Sequence, residues 1–232
     1  QQGPSASPIA QGSLAAFDLA GNWISTFRPT FAGRVWDITM TPDGKLIVGG
    51  DFTSVNGLAD TAGLVALDPA TGAVITSWKA NVTRTDGDRA IVRALDVRGD
   101  WVYASGRFTA IKSGTATTTT SVANAVNLRV TNGALGSWRP VIHASAVDLD
   151  VSDDGTRVYL AGFFNSVNGD TKHGYYAITD ATTGAPVPGV AAYQPSIGSN
   201  TATYQQAVGE TPNGNPVVSG SQHDIQMYNR DR

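Results

Sequence analysis

Val48-Gly49-Gly50-Asp51-Phe52-Thr53-Ser54-Val55-Asn56-Gly57 recurs along the chain, and its recurrence decides the fold. Ala104-Ser105-Gly106-Arg107-Phe108-Thr109-Ala110-Ile111 is a second copy. Leu160-Ala161-Gly162-Phe163-Phe164-Asn165-Ser166-Val167-Asn168-Gly169 is a third, and Val218-Ser219-Gly220-Ser221 a fading fourth. The glycines at 50, 106, 162 and 220 stand 56, 56 and 58 residues apart. A period that regular marks one supersecondary unit used repeatedly.

Around each copy the same order repeats. In the first unit, Val35–Met40 reads as strand one, Pro42-Asp43-Gly44 as a hairpin turn, and Leu46–Phe52 as strand two. A loop with Asn56-Gly57 leads to strand three, Leu64–Asp68, and the turn Pro69-Ala70-Thr71-Gly72 to strand four, Ala73–Trp78. The second unit reads Val92–Val97, Trp101–Phe108, Ala125–Val130 and Ala134–Trp138. The third reads Val147–Val151, Val158–Phe164, Tyr175–Thr179 and the turn at Thr183-Gly184. Tyr204–Val208, Val217–Ser221 and Ile225–Tyr228 open a fourth. Leu14–Asp18 and Trp23–Phe27 resemble the last two strands of a unit lacking its first half.

Four short antiparallel strands per unit at this period predict an all-β fold, a β-propeller of four-stranded blades. The expected organisation is a flexible leader over 1–12 and a propeller domain over 13–232. Within the domain lie a half blade at 13–30, blades at about 34–80, 92–140 and 146–190, and a partial blade at 203–232. About four blades are visible, so the chain reads as part of a larger propeller, or one completed by another part of the parent protein or by another chain. Tandem β-sandwiches are the alternative. Gly50 and Phe52 share a strand face, so the glycine is expected to make room for the ring.

Composition narrows the chemistry. The chain has 26 glycines, one glutamate (Glu210) and few lysines, which favours turns and strands over helices. A net charge of −3 gives no basic footprint for nucleic acid. No apolar run reaches a membrane-span length of about 18 residues. The absence of cysteine excludes thiol catalysis and thiolate metal sites. No secretory leader is legible, so the chain reads as mature or never exported.

The repeat resembles the Gly-Gly-x-Phe-Thr-Ser-Val-Asn-Gly propeller repeats of secreted bacterial surface proteins, and is similar to repeats of fungal cortical polarity markers. Gly49–Gly57, Gly162–Gly169 and Leu67-Asp68-Pro69-Ala70-Thr71-Gly72 carry the resemblance, which spans residues 13 to 228. It implies a secreted or cell-surface module with no assigned reaction. The second blade departs from it, with Ile111-Lys112-Ser113-Gly114 where the others have Val-Asn-Gly, so its loop should differ. Ala66-x-Asp68-x-x-Thr71-Gly72…Trp78 is also similar to the docking motif of quinoprotein propellers. There the tryptophan follows the glycine by about four positions. Here it follows by six (78 − 72), and the third blade has none, so the motif loses its packing reason and a quinone-dependent dehydrogenase is the weaker reading.

No Gly-x-Ser-x-Gly or His-Glu-x-x-His motif supports hydrolysis. His143, His173 and His223 lie far apart and read as surface or packing residues. Asp43, Asp68, Asp154 and Asp180 sit in turns that explain them. On the first strands, Asp37 aligns with Asp148 and Asp96 with Asp150, alternating with Ile38, Leu95 and Leu149. These four are expected to line the central channel, either as a calcium site or, as favoured here, bonded to backbone amides. No cofactor is required by any motif, and Asp86-Gly87-Asp88 is a weak calcium signal. Arg98-Gly99-Asp100 matches an adhesion tripeptide but occupies a hairpin slot, and Asn81-Val82-Thr83 is a glycosylation sequon.

The long connections, 53–63, 109–124 and 165–174 within units and 79–91, 139–146 and 188–203 between them, should gather on one face. Function concentrates on such loops. That face is expected to bind a protein or glycan, with Asp86, Asp88, Arg89, His143, Asp170, His173 and Tyr175 as candidates. The leading expectation is a non-catalytic extracellular binding or scaffold module. The alternatives are a carbohydrate-active enzyme using Asp96 or Asp148 at the channel mouth, and a structural spacer.

Overall fold

The computed structural model describes residues 10–190, 204–220 and 225–227. Most of the leader expected over 1–12, and His223, Ser221 and Tyr228, lie outside the described residues. In chain order the strands are β1 (Val35–Met40), β2 (Leu46–Gly50), β3 (Leu64–Leu67), β4 (Ala80–Thr83), β5 (Ile91–Arg98), β6 (Trp101–Arg107), β7 (Ala110–Ser113) and β8 (Thr120–Ser121). There follow β9 (Ala125–Arg129), β10 (Ala146–Val151), β11 (Arg157–Gly162), a 3-10 turn at Thr171–His173, β12 (Tyr176–Asp180), β13 (Gln205–Glu210), β14 (Pro216–Gly220) and β15 (Ile225–Met227).

Four antiparallel sheets repeat one order: β1-β2-β3, β5-β6-β9, β10-β11-β12 and β13-β14-β15. Each is three-stranded, a correction to the expected four. The fourth strand shrinks to one bridge per unit, Leu67↔Val74, Leu128↔Leu135 and Thr179↔Pro186. The 3–4 turn explains this. Asp68 accepts from the N–H of Ala70 and Thr71 and from Thr71 Oγ1, and Asp180 does the same with Thr182 and Thr183. After that tight turn the chain regains the sheet only briefly. It then dives so that Trp78 Nε1 donates to the Arg129 carbonyl and Trp138 Nε1 to Thr179 Oγ1, both in the following unit.

A fifth sheet, β4-β7-β8, arises where loops were expected. In the first and third units the incoming linker touches the 2–3 loop at single bridges, Phe31↔Val55 and Ile142↔Val167. In those units the motif asparagine holds the loop. Asn56 Oδ1 accepts from Thr30 N–H and its Nδ2 donates to the Gly72 carbonyl, and Asn168 repeats this with Val141 and Gly184. Both asparagines adopt positive φ, 51°. The second unit has Lys112-Ser113 there, so its loop runs straight and pairs with β4 through Ala80↔Ser113, Val82↔Ile111 and Thr83↔Ala110.

The sheets pack against one another in chain order, with β1 beside β5, β5 beside β10, and β10 beside β13. Apolar side chains fill each junction. Ile47, Leu64 and Ala66 meet Val92, Val102 and Ala104, while Tyr103 and Trp138 meet Val158, Leu160 and Ala177. Tyr159, Ala161 and Ile178 meet Val208 and Val218. Both faces of β2, β6 and β11 are therefore buried, as their near-continuous apolar runs require.

The repeated glycine has a cause shared by all four units in addition to the expected ring clearance. β1, β5, β10 and β13 each carry a bulge, between Val35/Asp37, Val92/Ala94, Ala146/Asp148 and Gln205/Ala207. The bulge drives a main-chain carbonyl at the glycine. A Cβ on Gly50, Gly106, Gly162 or Gly220 would lie within 3.0 Å of the carbonyl oxygen of Arg34, Ile91, Ser145 or Tyr204. At Gly50 the Phe52 ring also occupies that space, 2.6 Å from such a Cβ, as expected. Backbone cannot move aside as a side chain can, so Gly106→Ala should cost about 2 kcal/mol or more in denaturant titrations. Gly12→Ala, with no neighbour within 4 Å, should change stability by less than about 0.5 kcal/mol.

Candidate functional site

Two regions are built on the inner strands. The first is the set of carboxylates expected to line a channel. Asp37 Oδ2 accepts from Leu95 N–H at 2.7 Å, Asp96 Oδ2 from Val151 N–H at 2.8 Å, Asp148 Oδ2 from Val208 N–H at 2.8 Å, and Asp150 Oδ2 from Glu210 N–H at 2.6 Å. Each carboxylate thus reaches from the inner strand of one unit to the inner strand of the next. Asp37 and Asp96 also cap the amides of their own neighbours, Ile38 and Val97. The inner strand is a sheet edge, whose N–H groups need partners outside the ladder, and these carboxylates supply them.

Burial pushes all four carboxyls above the ordinary aspartate range, against the pull of the amide donors. Asp150 is raised to about 6, by burial first and then by its neighbours Asp96, Glu210 and Asp148. Among the described residues no group of three or more His, Cys, Asp and Glu side chains is set to hold a metal ion. Glu210 joins this region, accepting from Tyr159 Oη and Asp153 N–H.

The second region is an arginine-rich rim where β1 and β5 begin. Asp51 is buried, accepts from Arg34 N–H at 2.7 Å, and lies 3.6 Å from Arg34 Nε and 3.8 Å from Arg89 Nη1. Arg107 Nη2 meets Asp88 Oδ2 at 2.9 Å, and Arg84 pairs with Asp86. The bulge residues Trp36 and Arg93 meet here, with the Arg93 guanidinium 5.2 Å from the Trp36 ring centre and that of Arg34 at 5.9 Å. Arg93 has no ion-pair partner among the described residues, and its Nε is buried without an acceptor. Burial and then the charge of Arg107 lower its pKa, while Asp51 opposes. A crevice of about 460 Å³ opens at the Arg84, Asp88 and Arg89 end of this rim, with Phe52, Thr53 and Val82 also in its wall.

The predicted binding residues divide. Asp86, Asp88 and Arg89 join this rim. Asp170, His173 and Tyr175 lie in the third unit's 2–3 loop, where Asp170 caps the 3-10 turn through Lys172 N–H and sits 3.7 Å from His173 Nε2. His173 is buried, and burial lowers its pKa. Tyr175 takes positive φ, 66°, and donates its N–H to the Phe164 carbonyl. His143 is exposed, its N–H bonded to the Ser166 carbonyl. Arg98 of the adhesion-like tripeptide donates to the Val151 carbonyl and Asp153, and Asp100 lies 3.6 Å from Arg129.

Trp36, Arg34, Arg93 and Arg107 were not among the expected site residues, nor was the stacked pair Phe163–Tyr204, with ring centres 4.3 Å apart. One signal was available. Superposing the units shows that the residue after each repeat glycine (Asp51, Arg107, Phe163) varies while the glycine before it and the phenylalanine after it repeat, and that the bulge residue (Trp36, Arg93, Val147, Gln206) varies as well.

With this geometry in hand, the comparisons fit the fold. The family described as a domain of unknown function (DUF5122) beta-propeller matches residues 41–62, the first copy of the repeat. The WD40 beta propeller domain of Doa1 superposes with a TM-score of 0.55 at 12% identity, over 91% of this chain and 56% of that one. The fold is of the propeller type. The chain spans little more than half the length of that domain. The computationally designed Ika4 protein (TM-score 0.48, 12% identity, 85% of this chain and 92% of that one) is also similar. So is the extracellular domain of the putative hybrid two component system BT4673 from B. thetaiotaomicron (TM-score 0.48, 12% identity, 84% and 21%). No curated protein sequence matches.

The raised carboxyls carry a pH consequence. A carboxyl whose folded pKa lies above its unfolded value binds more protons when folded, so its contribution to stability is present at low pH and lost as pH rises through the folded pKa. For Asp150 that window runs from about 4 to about 6. Asp150→Asn, which retains an acceptor oxygen for Glu210 N–H, should flatten this loss. The melting temperature of the variant relative to wild type should rise between pH 4 and pH 7.

Proposed function

We propose that the chain is a non-catalytic binding module, acting at the cell surface or outside the cell, that takes a ligand bearing carboxylate or sulfate groups. The observation that carries the reading is Arg93, a guanidinium over Trp36 with no carboxylate within ion-pair distance among the described residues and with its Nε buried without an acceptor. Five arginines (34, 84, 89, 93 and 107) face three aspartates (51, 86 and 88) at the rim, a local positive excess in a chain of net charge −3. A planar guanidinium held by an aromatic face presents a fork suited to bidentate oxyanions. The neighbouring crevice, with Phe52 and Val82 in its wall, offers apolar surface beside the charge.

The secreted setting rests on the resemblance of the repeat to bacterial surface propellers. The hydrolase reading is less well supported, because Asp96 and Asp148 are already engaged by backbone amides, and catalysis would ask for carboxylates facing a substrate.

The test is titration with polygalacturonate, heparin and neutral dextran at low and moderate salt. The acidic polymers should bind and weaken as salt rises, while dextran should not bind. Arg93→Ala with Arg107→Ala should weaken binding at least tenfold with little change in melting temperature. Equal binding of dextran, or an unchanged affinity in the double variant, would refute the reading.

A further inference from the structure

The arginine rim is built from repeat positions, and at the junction between the third and fourth units those positions carry a different chemistry. Phe163 follows the repeat glycine as Asp51 and Arg107 do. Its N–H bonds to the Ser145 carbonyl as the Asp51 N–H bonds to that of Arg34. Tyr204 stands where Arg34 stands in the first unit, one residue ahead of the pair that opens each bulge (Gln205↔Gly220 and Val35↔Gly50). At the junction of the first two units these positions hold Arg34, Trp36, Asp51 and Arg93. Here they hold two rings, Phe163 and Tyr204, stacked with centres 4.3 Å and planes 19° apart. Gln206, at the bulge position of Trp36 and Arg93, donates from Nε2 to Tyr204 Oη at 3.0 Å.

Sealing the junction does not account for the pair. Tyr159, Ala161, Ile178, Val208 and Val218 fill that junction, and neither Phe163 nor Tyr204 is part of the cluster. Phe163 is 47% exposed, close to the 45% of Trp36. An aromatic ring held half out of water by its backbone and by a second ring presents a flat face. That face is electron-rich, so it attracts the slightly positive C–H face of a pyranose ring. An acidic polysaccharide offers both chemistries along one chain, a C–H face on each sugar and carboxylates or sulfates at intervals. The carboxylates of a peptide hang from flexible arms and bring no such face.

Resting on the oxyanion reading of the rim, we infer that Phe163 and Tyr204 form a sugar-stacking subsite, and that the ligand is an acidic polysaccharide reaching from Arg93 to this pair. Gln206 fits the same role. Its side chain is exposed and oriented by the Tyr204 hydroxyl, and an amide can both donate to and accept from sugar hydroxyls. The two contacts differ in kind. The guanidinium end selects charge, and the aromatic end selects a ring with a C–H face. Because one chain engages both, a polymer should bind more tightly than its monomer.

The test compares polygalacturonate with polyglutamate by calorimetric titration at one salt concentration; both carry carboxylates, and only the first has sugar rings. Polygalacturonate should bind more tightly than polyglutamate and than monomeric galacturonate. Phe163→Ala should weaken polygalacturonate about fivefold or more and leave polyglutamate unchanged. Phe163→Leu, apolar but without a ring face, should do the same, while Phe163→Tyr should keep the wild-type affinity. Saturation transfer from aromatic protons should reach the C–H protons of the bound sugar in the wild type and fall in Phe163→Leu. Wild-type affinity in both Phe163→Ala and Phe163→Leu, with the loss in Arg93→Ala with Arg107→Ala intact, would overturn the subsite and leave the oxyanion reading standing. Polyglutamate binding as tightly as polygalacturonate would assign the rim to acidic peptides and overturn the subsite as well. Binding of neither polymer would overturn both.

Discussion

A carboxylate that crosses from one sheet to the exposed edge of the next is the contact on which this architecture turns. The inner strands lie at sheet edges, with N–H groups that no ladder partner can reach. Asp37, Asp96, Asp148 and Asp150 answer those groups across the junctions, each with a charge-assisted bond of the kind worth about 1.5–3 kcal/mol. Apolar packing between sheets is larger in total, but it is not directional. The aspartates fix the height at which one unit meets the next, and so the arrangement of the loops above them. Their raised pKa values are the cost of placing carboxyls in a half-buried seam.

The bulge is the second constraint, and it links the fold to the site. It forces a glycine on the paired strand by pushing a carbonyl into the space of a Cβ. In the first two units it also turns one side chain out of the alternation toward the rim. Those residues are Trp36 and Arg93, which brings an aromatic face and a guanidinium together across a junction. The same device that locks the repeat in place therefore leaves one position in each unit outside the strand alternation.

Much of this was legible in the residues. The glycine period gave the units, the alternation of Val35–Met40 and Val147–Val151 gave the inner strands, and the Asp-Gly turns gave their hairpins. The pairing of Asp37 with Asp148 and of Asp96 with Asp150 holds in register, and the amide-bonded reading of those residues agrees with the geometry. The fourth strands were overread. The segments after Gly72 and Gly133 have strand-like composition, but their tryptophans are pulled into the next unit, and a contact with another repeat leaves no trace in local sequence. The β4-β7-β8 sheet was missed for a related reason. Its signal was the departure of Lys112-Ser113 from the motif, which foretold a different loop without saying that the loop would pair with Ala80–Thr83. The rim escaped because Trp36, Arg93 and Arg107 are distant in sequence and meet only through the bulge.

Hydrogen exchange at single amides in Asp96→Ala tests the seam most directly. Asp96 is the inner-strand aspartate that reaches across the junction between the second and third units, to Val151 N–H. The account predicts that exchange at Val151 accelerates about tenfold or more, while Leu95 and Val208, held by Asp37 and Asp148, keep their wild-type rates. Asp96→Asn, which preserves an acceptor, should fall between. An unchanged rate at Val151 in the alanine variant would contradict the claim that these carboxylates hold the sheets together.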